Sequence, residues 1–247
     1  MSTTRLAERL NDRAQHMETT LTPAGSGYAA LSSGALDVIR ENLKNQPMSL
    51  ELFDIVKSPS GGATVFSVPG LTGDEAEREL TGIVLDFTTP RAYWDTPDPV
   101  EGTPPSCMSA NSIISSDGKA CARYPYNDFG SRDGESNAKA CKESVLLFLL
   151  RPNNILPLLV RVPVTSKGRF LKYAARLAGS LTPVSGVVTK ITLERATSKG
   201  GKPSALFNFE AVGTLAPDEA ANARAYARQF MEIVNAAELV PELNEAS

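Results

Sequence analysis

The stretch SVLLFLLRPNNILPLLVRVPVTSKGRFLKYAARLAG, residues 144–179, decides the fold. SVLLFLL (144–150) and ILPLLVRV (155–162) are short apolar runs parted by a Pro-Asn-Asn cluster, the pattern of two buried strands joined by a short connection. The next segment changes period. Phe170, Ala174 and Leu177 fall on one face of a helix over 166–178, with Thr165 or Ser166 placed to cap its start and Gly179 its end.

Working upstream, LELFDIV (50–56), ATVFSV (63–68) and LTGIVLDF (80–87) repeat the strand pattern between Gly, Pro and Ser clusters. Downstream, VVTKITLERATSKGGKPSALFNFEAVGTL (187–215) reads as two strands around a Ser-Lys-Gly-Gly-Lys turn, a hairpin. A last helix is predicted from Pro217 to about Leu239, with Ala223, Phe230 and Val234 on its apolar side. Residues 1–47 read as an appended, partly mobile helical arm, with helices over Thr4–Met17 and Ala35–Asn45. Residues 88–142 interrupt the strand rhythm with a loop-rich excursion holding all three cysteines, and loops of this length usually have a function or a small fold of their own.

The expected fold class is therefore mainly β with helices (α+β). Five or more short strands, one helix among them and a large excursion suggest an OB-like Greek-key barrel at 48–216, carrying the insertion 88–142. The strand count alone fits a sandwich as well. Terminal helices flank the barrel, and residues 217–247 form the C-terminal helix and acidic tail.

Composition agrees with a packed chain: 42% of the 247 residues are hydrophobic and 21% charged. No apolar run reaches the roughly 20 residues that span a bilayer, and the start MSTTRLAERLNDRAQHMETT lacks a signal-peptide core. A cytoplasmic setting without membrane association is expected. Three cysteines, Cys107, Cys121 and Cys141, are an odd count that argues against a disulfide framework.

The net charge of −3 conceals a segregated distribution. From Lys119 to Lys202 there are 15 Lys/Arg against 5 Asp/Glu, and the rest of the chain holds 10 against 23. A basic middle between acidic ends is an electrostatic footprint for nucleic acid. The same residues exclude most catalysis. His16 is the only histidine and stands apart from any polar cluster, which removes Ser/His and Cys/His nucleophile pairs. Gly200-Gly201-Lys202 lacks the upstream glycine and following Ser/Thr of a phosphate loop and reads as a hairpin tip. Asp95 and Asp98 read as turn residues of a Pro-rich loop. A non-enzymatic protein is expected.

Two basic groups stand out. Arg169, Lys172 and Arg176 recur along one stripe of the predicted helix, suited to tracking phosphates or, more plainly, to a solvated helix face. The excursion interleaves Lys119, Arg123, Arg132, Lys139 and Lys142 with Tyr124, Tyr126 and Phe129, and Arg91, Tyr93 and Trp94 precede it. Cations beside aromatic rings suit an unpaired strand, because charge holds the backbone while ring faces stack bases. Trp94 and Tyr93 fit equally well as plugs of a barrel end. The three cysteines offer only three of the four ligands of a structural zinc site, since the chain reads Tyr124 where Cys-x-x-Cys needs a thiol, so packing cysteines and no cofactor are expected.

The series GIVLDFTTPRAYWDTPDPVEGTPPSC, YNDFGSRDGESNAKAC, LLRPNNILPLLVRVPVTSKGRFLKYAARL and VVTKITLER resembles a family of phage- and mobile-element-encoded single-stranded-DNA-binding replication proteins, over roughly Gly82 to Leu215. The resemblance implies single-stranded DNA as the partner. It also implies a cysteine knuckle binding zinc, matched at Cys107, Cys121 and Cys141 and departed from at Tyr124. The acidic end, six acids against two arginines over 218–247, would on that basis compete for the DNA groove or recruit replication proteins. A non-catalytic interaction module or homo-oligomeric assembly factor is the alternative.

Overall fold

The computed structural model describes residues 27–28, 34–44, 52–96, 103–132, 138–197, 201 and 203–234. Among these, the fold is mixed α+β, a curled half-barrel sheet with three helices. The helices are α1 (Ala35–Leu43), α2 (Val164–Ala178) and α3 (Pro217–Ile233). The strands are β1 (Ile55–Val56), β2 (Phe66–Val68), β3 (Glu75–Glu77), β4 (Glu79–Thr88), β5 (Arg91–Tyr93), β6 (Cys107–Ser109), β7 (Lys142–Leu150), β8 (Leu158–Pro163), β9 (Val187–Thr197) and β10 (Pro203–Thr214). The main sheet runs β1-β8-β7-β4-β9-β10, with β5 and β6 added beside the start of β7, and β2 pairs with β3 separately.

The two apolar runs that open the decisive stretch are β7 and β8, antiparallel from Ser144↔Pro163 to Leu149↔Leu158. They lack polar alternation because both faces of the sheet are covered. Val145, Leu147 and Leu149 join one cluster with Phe170, Tyr173 and Leu177 of α2; Leu146, Phe148 and Leu150 join another with α1 and α3. In the second cluster Phe53 meets Phe148 and Phe230 edge-on, with centroids 6.1 and 5.9 Å away.

Of residues 1–47, the described ones are 27–28 and 34–44. Tyr28, Leu36 and Ile39 are buried in the second cluster, and the expected helix over Thr4–Met17 lies outside the described residues. The last helix is described to Ile233, and residues 235–247 with the acidic tail lie outside. No helix among the described residues is long and apolar enough to cross a membrane.

Helix α2 differs from expectation at two points. It starts at Val164, after extended Pro163, and neither Thr165 nor Ser166 caps it. Ser166 is buried instead, its Oγ accepting a bond from the Phe207 N–H of β10 at 3.0 Å. Tyr173 rather than Ala174 fills the core position, because its hydroxyl reaches Thr189 Oγ1 at 2.8 Å and so buries without an orphaned polar group. Ser166→Ala should cost about 1–2 kcal/mol, the penalty of a buried N–H left without its acceptor, read from a urea melt; an unchanged midpoint would show that Phe207 finds another partner.

Strand β4 holds the two halves of the sheet together. It pairs with β9 over Glu79–Gly82 and with β7 over Ile83–Thr88, with a bulge between Val84 and Asp86. Bulges and glycines bend a strand so that one element can serve two directions of a curved sheet. The outer side of β10 is occupied as well. A 3-10 turn at Ser60–Gly62, with Gly62 at φ +70, comes so close that a Cβ on Gly62 would stand 3.2 Å from the Ser204 N.

Candidate nucleic-acid interface

The excursion is anchored to the sheet by a charged network that the sequence does not announce. Arg91, at the start of β5, is 9% exposed. It pairs with Glu143 of β7 at 3.1 Å, and its guanidinium also donates to Asn127 Oδ1 and Ser112 Oγ. Glu143 accepts a second cation, Lys167 from α2. Asn127, in a 3-10 turn over Pro125–Asn127, also accepts from Lys139 Nζ at 3.0 Å. One carboxylate and one amide thus tie together β5, β7, α2 and the far side of the loop.

Beside this network lies a cavity of about 10 Å³, room for roughly one water, lined by Cys107, Cys121 and Cys141 with Met108 and three tyrosines. All three cysteines are free. Burial pushes the Cys141 thiol up to about 12 and also raises Cys107, so both stay protonated at neutral pH. The zinc knuckle implied by the resemblance does not fit these residues. Among the described residues no group of three or more His, Cys, Asp or Glu could hold a metal ion, and the Tyr124 hydroxyl, at the place of the fourth ligand, donates to Asp117. Hydrogen bonds from Lys119, Ser115 and Tyr124 hold the Asp117 carboxyl far below the usual carboxylate range.

The aromatic residues divide into two kinds. Tyr93 and Tyr126 stack on each other, centroids 3.7 Å apart and planes 10° apart, with Tyr124 tilted beyond them at 6.5 Å. Trp94 is buried, its Nε1 donating to the Thr103 carbonyl oxygen at 2.8 Å, so its ring is not free in water as Phe129 is. Phe129 is different: it is 77% exposed, with Lys139 Nζ 4.5 Å from its ring centroid.

The expected cations divide in the same way. Arg91 is consumed by Glu143, Lys119 pairs with Asp117 at 2.8 Å, and Arg169 pairs with Glu194 at 2.9 Å while donating to Asn208. Lys142 lies half-buried in β7. Arg123, Arg132, Lys172 and Arg176 are exposed and enter no ion pair with another described residue. Sequence reading counted all of these alike and missed Asn127, Glu143, Lys167 and Asp117. A glutamate at the head of an otherwise apolar strand was the available signal for Glu143.

Comparison of the chain with protein-family models, with curated proteins and with solved structures finds no match.

Proposed function

We propose that the chain binds single-stranded DNA without strong sequence preference, in the replication or recombination of a phage or mobile element, and grips it on the cysteine-bearing excursion. The observation that carries this reading is Phe129, a large ring left in water on a loop that a buried ionic network holds in place. Phe129 is the only exposed phenylalanine among the described residues, and its ring face can stack a base, which exposed aliphatic side chains such as Leu71 and Leu181 cannot.

The sheet connectivity supports the same reading. β4, β7 and β8 lie side by side, and β9 returns through α2 to lie beside β4, an order that a Greek-key barrel of the OB type would share. In that frame the excursion joins the first two barrel strands, and residues 198–202 join the last two. These are the loops with which OB domains contact oligonucleotides. The strand face that such domains also use is closed in this chain, since β7 is buried from Ser144 to Leu150. Contact therefore falls to the loops and to the exposed cations.

Fluorescence anisotropy with oligo-dT, matched duplex and RNA across a salt series tests the proposal. Affinity for oligo-dT should fall with salt at about −0.7 in log–log slope per phosphate contact. Lys172→Ala and Arg176→Ala should each make the slope shallower by about 0.7, whereas Arg169→Ala, already paired with Glu194, should leave it almost unchanged. Equal affinity for duplex and single strand, or no binding below millimolar protein, overturns the proposal.

A further inference from the structure

We infer that Lys139 acts as a clamp on Phe129 and not as a phosphate ligand, so that the excursion offers one unpaired nucleobase a single pre-set stacking face. The inference rests on the proposed function and assigns the roles within that site. The Lys139 ammonium is fixed twice, over the Phe129 ring at 4.5 Å and on Asn127 Oδ1 at 3.0 Å. Asn127 is itself held by Arg91, and Arg91 by Glu143, so the clamp traces back to the sheet. A phosphate bound at Lys139 would have to draw it off both partners.

The cation has two effects on the ring it covers. It restricts an exposed side chain to one orientation before ligand arrives, which reduces the ordering cost of binding. It also draws on the negative face of the ring, which eases stacking of an electron-rich base against the opposite face. The remaining rings are less open: Tyr93 and Tyr126 cover one another, and Tyr124, with Lys119 Nζ farther off at 5.8 Å from its centroid, is only half-exposed and tied to Asp117 by its hydroxyl.

The test is anisotropy on oligo-dT across a salt series with the full chain and its Phe129→Ala, Lys139→Gln, Lys139→Arg and double Phe129→Ala/Lys139→Gln variants. Phe129→Ala should weaken binding by roughly 5- to 150-fold, the range for loss of one stacked base. Lys139→Gln should weaken it several-fold with the salt slope unchanged, Lys139→Arg should restore it, and the double variant should bind no worse than Phe129→Ala alone. A slope shallower by about 0.7 in Lys139→Gln, or losses that add in the double variant, makes Lys139 a phosphate ligand and overturns the inference. Wild-type affinity in Phe129→Ala overturns the inference but leaves the proposed function standing. Failure of the unaltered chain to bind oligo-dT overturns both.

Discussion

Replacing Glu143 by alanine is expected to destabilise the chain by about 3 kcal/mol, because it leaves two cations facing each other with no anion between them. The Glu143 side chain is only 15% exposed and holds Arg91 on one oxygen and Lys167 on the other. Arg91 is the more deeply buried of the two and the less able to escape to water. The variant should also lose the hold on Asn127, and with it the register of the excursion, so affinity for oligo-dT should fall along with the urea midpoint.

The same carboxylate sets an acid limit. Burial alone would raise its pKa, but the hydrogen bond from Lys167 and the charges of Arg91 and Lys167 outweigh burial and hold it below its ordinary value of 4.5. A carboxylate depressed in the folded state contributes stability above its unfolded pKa, and that contribution is lost as pH falls through the folded value. Unfolding free energy should therefore drop below about pH 4.5 in the unaltered chain, and this part of the drop should be missing in Glu143→Ala. Identical urea midpoints and identical acid profiles for the two proteins would mean that the network carries no net weight.

The second large effect is expected at Gly82. A Cβ there would stand 2.4 Å from the Leu150 carbonyl oxygen and 3.0 Å from Leu149 Cγ, and a backbone oxygen cannot swing aside as a side chain can. Gly82 is also the residue at which β4 passes from β9 to β7, so any shift disturbs both pairings. Gly82→Ala should cost about 1–3 kcal/mol, and Gly82→Val more. At roughly 2–4 °C per kcal/mol for a chain of this size, the alanine variant should melt several degrees lower. Gly168 supplies the opposite sign. It is exposed in α2 with nothing within 4 Å of an added Cβ, so Gly168→Ala should stabilise by about 0.5–1 kcal/mol. If both alanines move the melting point in the same direction, the close approach at Gly82 is not what limits it.

The long elements were legible because periodicity reports burial. Residues 144–150, 155–162, 80–87 and the 187–215 hairpin alternate or run apolar, and each coincides with a strand or overlaps most of one. Of the run 50–56 read as a strand, β1 keeps only Ile55 and Val56, and β3, an acidic Glu-Ala-Glu whose exposed side carries no apolar signal, could not be read. The excursion is ordered by side-chain bonds to backbone, as where Asn111 Oδ1 accepts from the N–H groups of Ile113 and Ile114, and such bonds have no period. For the site, residue type showed where cations and rings cluster. It could not show which cations are already neutralised, because the partners of Arg91 and Arg169 lie far away in the chain and meet them only through the sheet.

The occupied flank of β10 also governs how copies of this chain can meet. An unpaired strand edge is a template onto which a strand of another molecule can add, the first step toward ordered aggregates. Here the Phe207 N–H is already bonded by Ser166, Asn208 is held by Arg169, and the Ser60–Gly62 turn lies against Ser204. Sheet growth from that side is blocked by elements of the same molecule. Copies of the chain that meet on this flank would then touch through a helix and a turn, not through a strand ready to pair.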